Sequence, residues 1–230
     1  MSKILQRLSG RLTLASVIGL AAALAVSAFV IWAFAELADG VVEGESRAFD
    51  RTVLLWIGNH SPDWLDDPMR LITALGYYWV VFPMLLVSVF SFYRKGLRIS
   101  AALLLVATVG GMVLTTVLKA VFQRARPELL DSGYTASFYS FPSGHATVAV
   151  GFYGMLTLLL ALQIRGWMRW IVVVGGMALV LLIGLSRLYL GVHYPTDVLA
   201  GYLATPLWLV SVTGVYALWR VARVEKGDRG

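Results

Sequence analysis

The stretch Ile99–Pro127, ISAALLLVATVGGMVLTTVLKAVFQRARP, decides the fold. From Ile99 to Leu118 it carries no charge, and Lys119 is the first ionisable side chain. A helix needs about 20 mostly apolar residues to cross a bilayer core. This run therefore reads as a membrane span from about Ile99 to Phe122 that ends among cations. Working outward, comparable runs occur at about Leu12–Leu37, Leu75–Tyr93, His145–Ile164, Trp170–Leu188 and Val198–Trp219. The fold class expected is all-α: a polytopic membrane protein with six transmembrane helices, forming a single domain over residues 1–230.

Composition agrees. Of 230 residues, 59% are hydrophobic and 14% charged, whereas a soluble domain has about 45–50% and about 25%. This excludes a soluble globular domain and a disordered chain. With no cysteine, a disulfide framework, a thiolate metal site and a cysteine nucleophile are excluded too. The first run follows Lys3, Arg7 and Arg11 like a signal peptide. It is too long for one, however, and it ends in Glu36 and Asp39 without a clear cleavage site, so it reads as a retained span.

Six spans put both termini on one side, and charge identifies that side. Lys3, Arg7 and Arg11, then Arg94, Lys95 and Arg98, then Arg165 and Arg169, then Arg220, Arg223, Lys226 and Arg229 all fall there. They make up 12 of the 19 Lys and Arg, against Glu225 and Asp228. Basic loops stay cytoplasmic, so the termini are expected in the cytoplasm. The net charge of +6 then needs no nucleic-acid partner. The other face receives the 38–73 loop, which is rich in acidic residues. Phe49, Val53, Trp56 and Ile57 recur there at helical spacing, which suggests a short interfacial helix. Asn59–Pro62 would end it, and Pro68 would begin or bend another.

Cations on that outer side break the pattern. Lys119 and Arg187 sit at span ends, where a charge is costly unless it is paired or lines a wet cavity; alone, each is as well explained by snorkelling. Lys119 and Arg126 are seven residues apart, about two turns, so both face one way if the helix persists, until Pro127 stops it. Phe141-Pro142-Ser143-Gly144-His145 precedes the fourth span. There Ser143 is a plausible helix cap, Gly144 permits close approach of a ligand, and the helix start attracts anions. Ser186–Asp197 joins the last two spans and carries Arg187, His193 and Asp197. His60, in the Asn59–Pro62 turn, reads as a surface residue.

These three segments resemble the signature of the type 2 phosphatidic acid phosphatase (PAP2) superfamily: K-x6-R-P, P-S-G-H and S-R-x5-H-x3-D. Lys119–Pro127, Pro142–His145 and Ser186–Asp197 match every fixed position, so the core motifs span 119–197. The resemblance implies a metal-independent membrane phosphatase with a phosphohistidine intermediate and no cofactor. The chemistry of the residues agrees. Lys119, Arg126 and Arg187 supply cations for a phosphate, and Ser143 and Gly144 supply a hydroxyl and N–H groups. His193 is the candidate nucleophile, Asp197 orients its ring, and His145 is the candidate general acid and base. Glu128 and Asp131 read as solvated loop residues rather than metal ligands.

The expected partners are a lipid phosphate substrate and the surrounding membrane lipids; the sequence leaves the oligomeric state open. Family substrates include phosphatidic acid, phosphatidylglycerophosphate, undecaprenyl diphosphate and lipid A, and the motifs do not choose among them. The compact chain looks like a bacterial member, and Trp56 and Trp64 would cover the site or guide the lipid. Two other classes compete. A vanadate-dependent haloperoxidase shares the oxyanion site, but six spans argue against it. A lipid transporter or scaffold would be expected to show broken helices or repeated halves.

Overall fold

A computed structural model describes residues 14–130, 134 and 138–227, with side chains described at residue 18 and from 21 to 212 within those ranges. Lys3, Arg7, Arg11, Asp131, Asp228 and Arg229 lie outside the described residues. The side chains of Arg220, Arg223, Glu225 and Lys226 are likewise not described. Every long element is a helix. In chain order these are α1 (Leu14–Val42), α2 (Arg47–His60), α3 (Asp66–Ala74, entered through a 3-10 turn at Asp63–Leu65), α4 (Tyr78–Arg94), α5 (Arg98–Phe122), α6 (Gly144–Ala161), α7 (Trp167–Tyr189) and α8 (Pro195–Gly227).

The chain is an integral membrane protein. Among the described residues, four helical segments are long and apolar enough to cross a bilayer: Ala21–Val42, Arg98–Phe122, Gly144–Ala161 and Trp167–Tyr189. A fifth arises if Asp63–Ala74 and Tyr78–Arg94, bent by 48° at their junction, act as one. α4 has only 17 residues, the lower end of spanning length. Large apolar side chains such as Phe29, Trp32, Phe90, Val174 and Leu181 are exposed around the bundle, as lipid-facing surfaces require.

The core lies between α4, α5, α6 and α7, where Leu85, Leu104, Phe152 and Ile183 are fully or almost fully buried. α6 widens into a π turn at Ala149–Gly154. Such a turn shifts backbone pairing, and neighbouring threonines donate to carbonyls in and beside it. Thr108 Oγ1 donates to Gly151 O at 2.9 Å, and Thr205 Oγ1 donates to Thr147 O at 3.0 Å. A second cluster joins Phe34 and Ala38 of α1 to Phe141 and Ala200. It pins the loop before α6 beneath α1 and α5, with Phe122 edge-on to Phe141 at 4.9 Å between centroids.

Two local expectations change. α5 does not persist to Arg126: it ends at Phe122, because Gln123 turns left-handed (φ 47°) and its N–H bonds to Lys119 O. Arg126 therefore approaches from a loop rather than from a second helical turn. Ser143 stands at the N-cap position of α6, but its hydroxyl makes no capping bond. In the first loop, α2 ends at His60 with Ser61 extended, and Pro68 lies within the first turn of α3, where a missing N–H costs little.

Candidate active site

The end of α5, the starts of α6 and α8 and the end of α7 meet at one end of the bundle. The α4–α5 and α6–α7 connections, with Arg94, Lys95, Arg98, Arg165 and Arg169, belong to the other end. Each of the eight motif residues named above lies at the first end. His193 is 2% exposed and sits in the turn between α7 and α8. Its Nδ1 lies 3.4 Å from Asp197 Oδ2 and its Nε2 lies 3.3 Å from Arg126 Nη1. An arginine only donates, so its contact assigns the lone pair to Nε2 and the proton to Nδ1, facing the carboxylate; the Ser140 backbone also lies against the ring.

Arg126 is held by backbone carbonyls: its Nε donates to Phe138 O at 2.8 Å and its Nη1 to Val192 O at 2.7 Å. Lys119 Nζ donates to Tyr139 O and, at 3.3 Å, to Ser140 O. Arg187, 2% exposed, donates from Nη1 to Thr73 Oγ1 at 2.8 Å and lies over the Tyr134 ring. The Ser143 N–H donates to Asp197 O at 2.8 Å, tying the second motif to the third. Tyr77 packs edge-on to His145. Among the described residues, three buried polar atoms of motif residues have no hydrogen-bond partner: Ser143 Oγ, His145 Nε2 and Arg187 Nε.

Electrostatics follow from this crowding. Burial, then the charges of Arg187, Lys119 and Arg126, hold His193 well below its ordinary value, so the ring is neutral at pH 7. Burial and Arg187 draw Arg126 down to about 10, still cationic at neutral pH. A cleft of about 190 Å³ opens beside Lys119, Gly144 and His145, walled by Tyr77, Tyr78 and Met112. Among the described residues no three His, Asp or Glu side chains gather closely enough to hold a metal ion, and Glu128 is exposed. His60 stays on the surface, stacked on Trp56 with its Nδ1 at Trp56 O. Trp56 and Trp64 are both largely exposed.

The motif reading missed a set of residues that brace the site. Arg124 donates from Nη1 to Asp197 Oδ1 and from Nη2 to Asp50 Oδ2, both at 2.6 Å. Asp50, on α2 and fully buried, also accepts from the Thr196 N–H at 3.0 Å and from Thr196 Oγ1 at 2.7 Å. Arg124 lies over the Tyr194 ring at 4.2 Å. Burial opposes its charge, but Asp197 and Asp50 outweigh that and hold it above the ordinary arginine value. Nothing in the sequence marked Asp50 out, because Arg47 and Arg51 flank it and would account for its charge locally.

Comparison with known proteins gives the family. The sequence profile of the PAP2 superfamily matches residues 100–220. Phosphatidylglycerophosphatase B of Bacillus subtilis is 34% identical over 144 residues, which is 60% of this chain and 69% of that protein. An undecaprenyl-diphosphatase of Sulfolobus acidocaldarius is 36% identical over 132 residues, 55% of this chain and 58% of its own length. The crystal structure of a transmembrane PAP2-type phosphatidylglycerolphosphate phosphatase from Bacillus subtilis superposes with a TM-score of 0.73. It has 26% identity and covers 83% of this chain and 96% of that one.

Proposed function

Because the chain belongs to the PAP2 superfamily, we propose that it is a lipid phosphatase hydrolysing a phosphomonoester or diphosphate headgroup through a phosphohistidine at His193. The observation that carries this is the His193 ring, with its proton toward Asp197 and its lone pair toward a pocket of fixed cations. In the first step Nε2 attacks phosphorus while the bond to the leaving oxygen breaks, and His145 gives that oxygen a proton. Lys119, Arg126, Arg187, Ser143 and the Gly144 N–H hold the phosphoryl oxygens as negative charge builds on them. In the second step His145 takes a proton from water, whose oxygen attacks phosphorus, and the P–N bond breaks to release phosphate.

The cations come from side chains, and the reaction draws on no metal or other cofactor. Six spans in one domain, with cytoplasmic termini and the site on the outer face of the plasma membrane, fit the charge bias. α2 then lies at the outer interface, with Trp56 turned toward headgroups. The cleft beside His145 is walled by apolar and aromatic side chains and by the bend between α3 and α4. It suits a lipid whose tails stay in the bilayer, of the phosphatidic acid, phosphatidylglycerophosphate or undecaprenyl diphosphate class.

The test is phosphate release by purified protein from a panel of lipid phosphates and diphosphates with EDTA present. Activity that survives chelation, is blocked by vanadate and is abolished in His193→Ala is expected. Activity lost to EDTA and restored by Mg²⁺ would refute the mechanism.

A further inference from the structure

The first loop reaches the His193–Asp197 dyad through two residues that belong to no motif. Asp50 and Asp197, both fully buried, share the single guanidinium of Arg124. We propose that Arg124 and Asp50 are positioning residues for the phosphoryl-transfer step: Arg124 fixes the Asp197 carboxylate, and Asp50 offsets the Arg124 charge so that Asp197 still stabilises a cationic His193. The inference rests on the reading of His193 as nucleophile.

The argument is one of charge. When Nε2 bonds to phosphorus, the ring keeps its Nδ1 proton and becomes an N-phosphorylated imidazolium. The charged and titratable groups that face it are Lys119 from α5, Arg126 from the motif loop, Arg187 from α7, His145 from α6 and Asp197 from α8. Three of these are cations that oppose the new charge; among the charged groups Asp197 alone favours it, beside the Ser140 backbone, which also hydrogen-bonds the ring. With Arg124 alone on Asp197 Oδ1, that carboxylate would be half of a neutral pair and its pull would be largely cancelled. A second carboxylate on the other guanidinium nitrogen returns the cluster to one net negative charge. Removing one partner of a buried ionic group strands the others, and Asp50 is saturated with donors from Arg124 and Thr196. Tyr194, whose N–H donates to Asp197 Oδ2 at 2.8 Å, completes the clamp without adding charge.

The experiment compares the acidic limb of kcat/KM for wild type, Asp50→Asn, Arg124→Gln, the double variant and Thr196→Val, with one lipid phosphate throughout so that substrate ionisation is common. Protonated His193 cannot attack, so the limb follows its titration in the free enzyme. Asp50→Asn removes a negative charge, destabilises the protonated ring and moves the limb to lower pH. The expected size is roughly one unit, that of a charge about 12 Å away, two residues removed through Arg124 and Asp197, at an effective dielectric of about 20. Arg124→Gln moves it to higher pH, and the double variant returns near wild type. Thr196→Val keeps the backbone bond but removes the hydroxyl that donates to Asp50 Oδ2 and accepts from Arg124 Nη1 at 2.8 Å; no charge is lost, so it lowers the thermal midpoint with the limb unmoved.

Single variants that shift the limb in the same direction, or not at all, overturn the proposal, as does a double variant that fails to return. A Thr196→Val limb that moves like Asp50→Asn assigns the effect to packing and overturns it too. If Asp50→Asn does not fold, Arg124→Gln against Thr196→Val decides: an upward shift in the first alone supports the proposal, and any other pattern refutes it. If instead His193→Ala still hydrolyses lipid, the nucleophile reading itself has failed, a result distinct from unmoved limbs in a working enzyme.

Discussion

Ser143 Oγ, His145 Nε2 and Arg187 Nε are buried without hydrogen-bond partners among the described residues, a costly condition for polar atoms in a folded chain. In the proposed mechanism a bound phosphoryl group supplies oxygens to the Ser143 hydroxyl and the Arg187 N–H, and the leaving oxygen or water meets His145. The two histidines then separate by trapping. His193→Ala leaves nothing to phosphorylate, so no label is retained from labelled lipid. His145→Ala keeps the nucleophile but loses the acid, a loss of about 10²–10⁴-fold. Its effect on phosphoenzyme formation is smaller with a diphosphate, whose leaving group needs no proton, than with a monoester. Label in His193→Ala but not in His145→Ala would exchange the two roles. Burial, with the site's cations, also places the wild-type acidic limb of kcat/KM below the ordinary histidine range. A limb at or above pH 6.5, the unperturbed value, would show that the ring is not held as its surroundings imply.

Two glycines, one inside α8 and one at the start of α6, make opposite predictions. A Cβ on Gly201 of α8 would stand 2.5 Å from Ser143 O and 2.8 Å from Ala146 Cβ, so α8 backs directly onto the motif turn. Gly201→Ala must push that turn aside, and overpacking of this kind costs about 1–3 kcal/mol, read as a lower thermal midpoint together with lost activity. A Cβ on Gly144 meets nothing within 4 Å, because that side faces the cleft. Gly144→Ala should therefore keep its midpoint while kcat/KM falls; a drop in both would mean that Gly144 is needed by the fold. The motifs at the ends of α5, α6 and α7 were legible because lysine, arginine and histidine stand out sharply against apolar runs. The left-handed Gln123 that ends α5 and the π turn in α6 were not. Nothing in the local pattern distinguishes them from continuing helix, and threonines on other helices satisfy the displaced carbonyls.

At the scale of the whole molecule, the proposed sidedness has a direct test, since the chain has no cysteine of its own. Cysteine at the exposed Glu45, between α1 and α2, should react with an impermeant thiol reagent in intact cells. Cysteine at the exposed Gln163, between α6 and α7, should react only after permeabilisation. The reverse pattern would turn the site to the cytoplasm. Helices and motifs could be read from runs of neighbours, but the bracing of the site could not. Thr73 meets Arg187 across 114 residues and Asp50 meets Thr196 across 146, and no periodicity links such positions. Those separations also bear on how the protein is made. Asp50 is synthesised long before the segment that carries Thr196 and Asp197, and a buried carboxylate without its partners is costly. Arg124, 74 residues after Asp50 and 73 before Asp197, arrives midway. The growing chain therefore holds an ion-pair partner for Asp50 well before the last helix exists, so that helix has a half-built clamp to dock onto rather than a stranded charge.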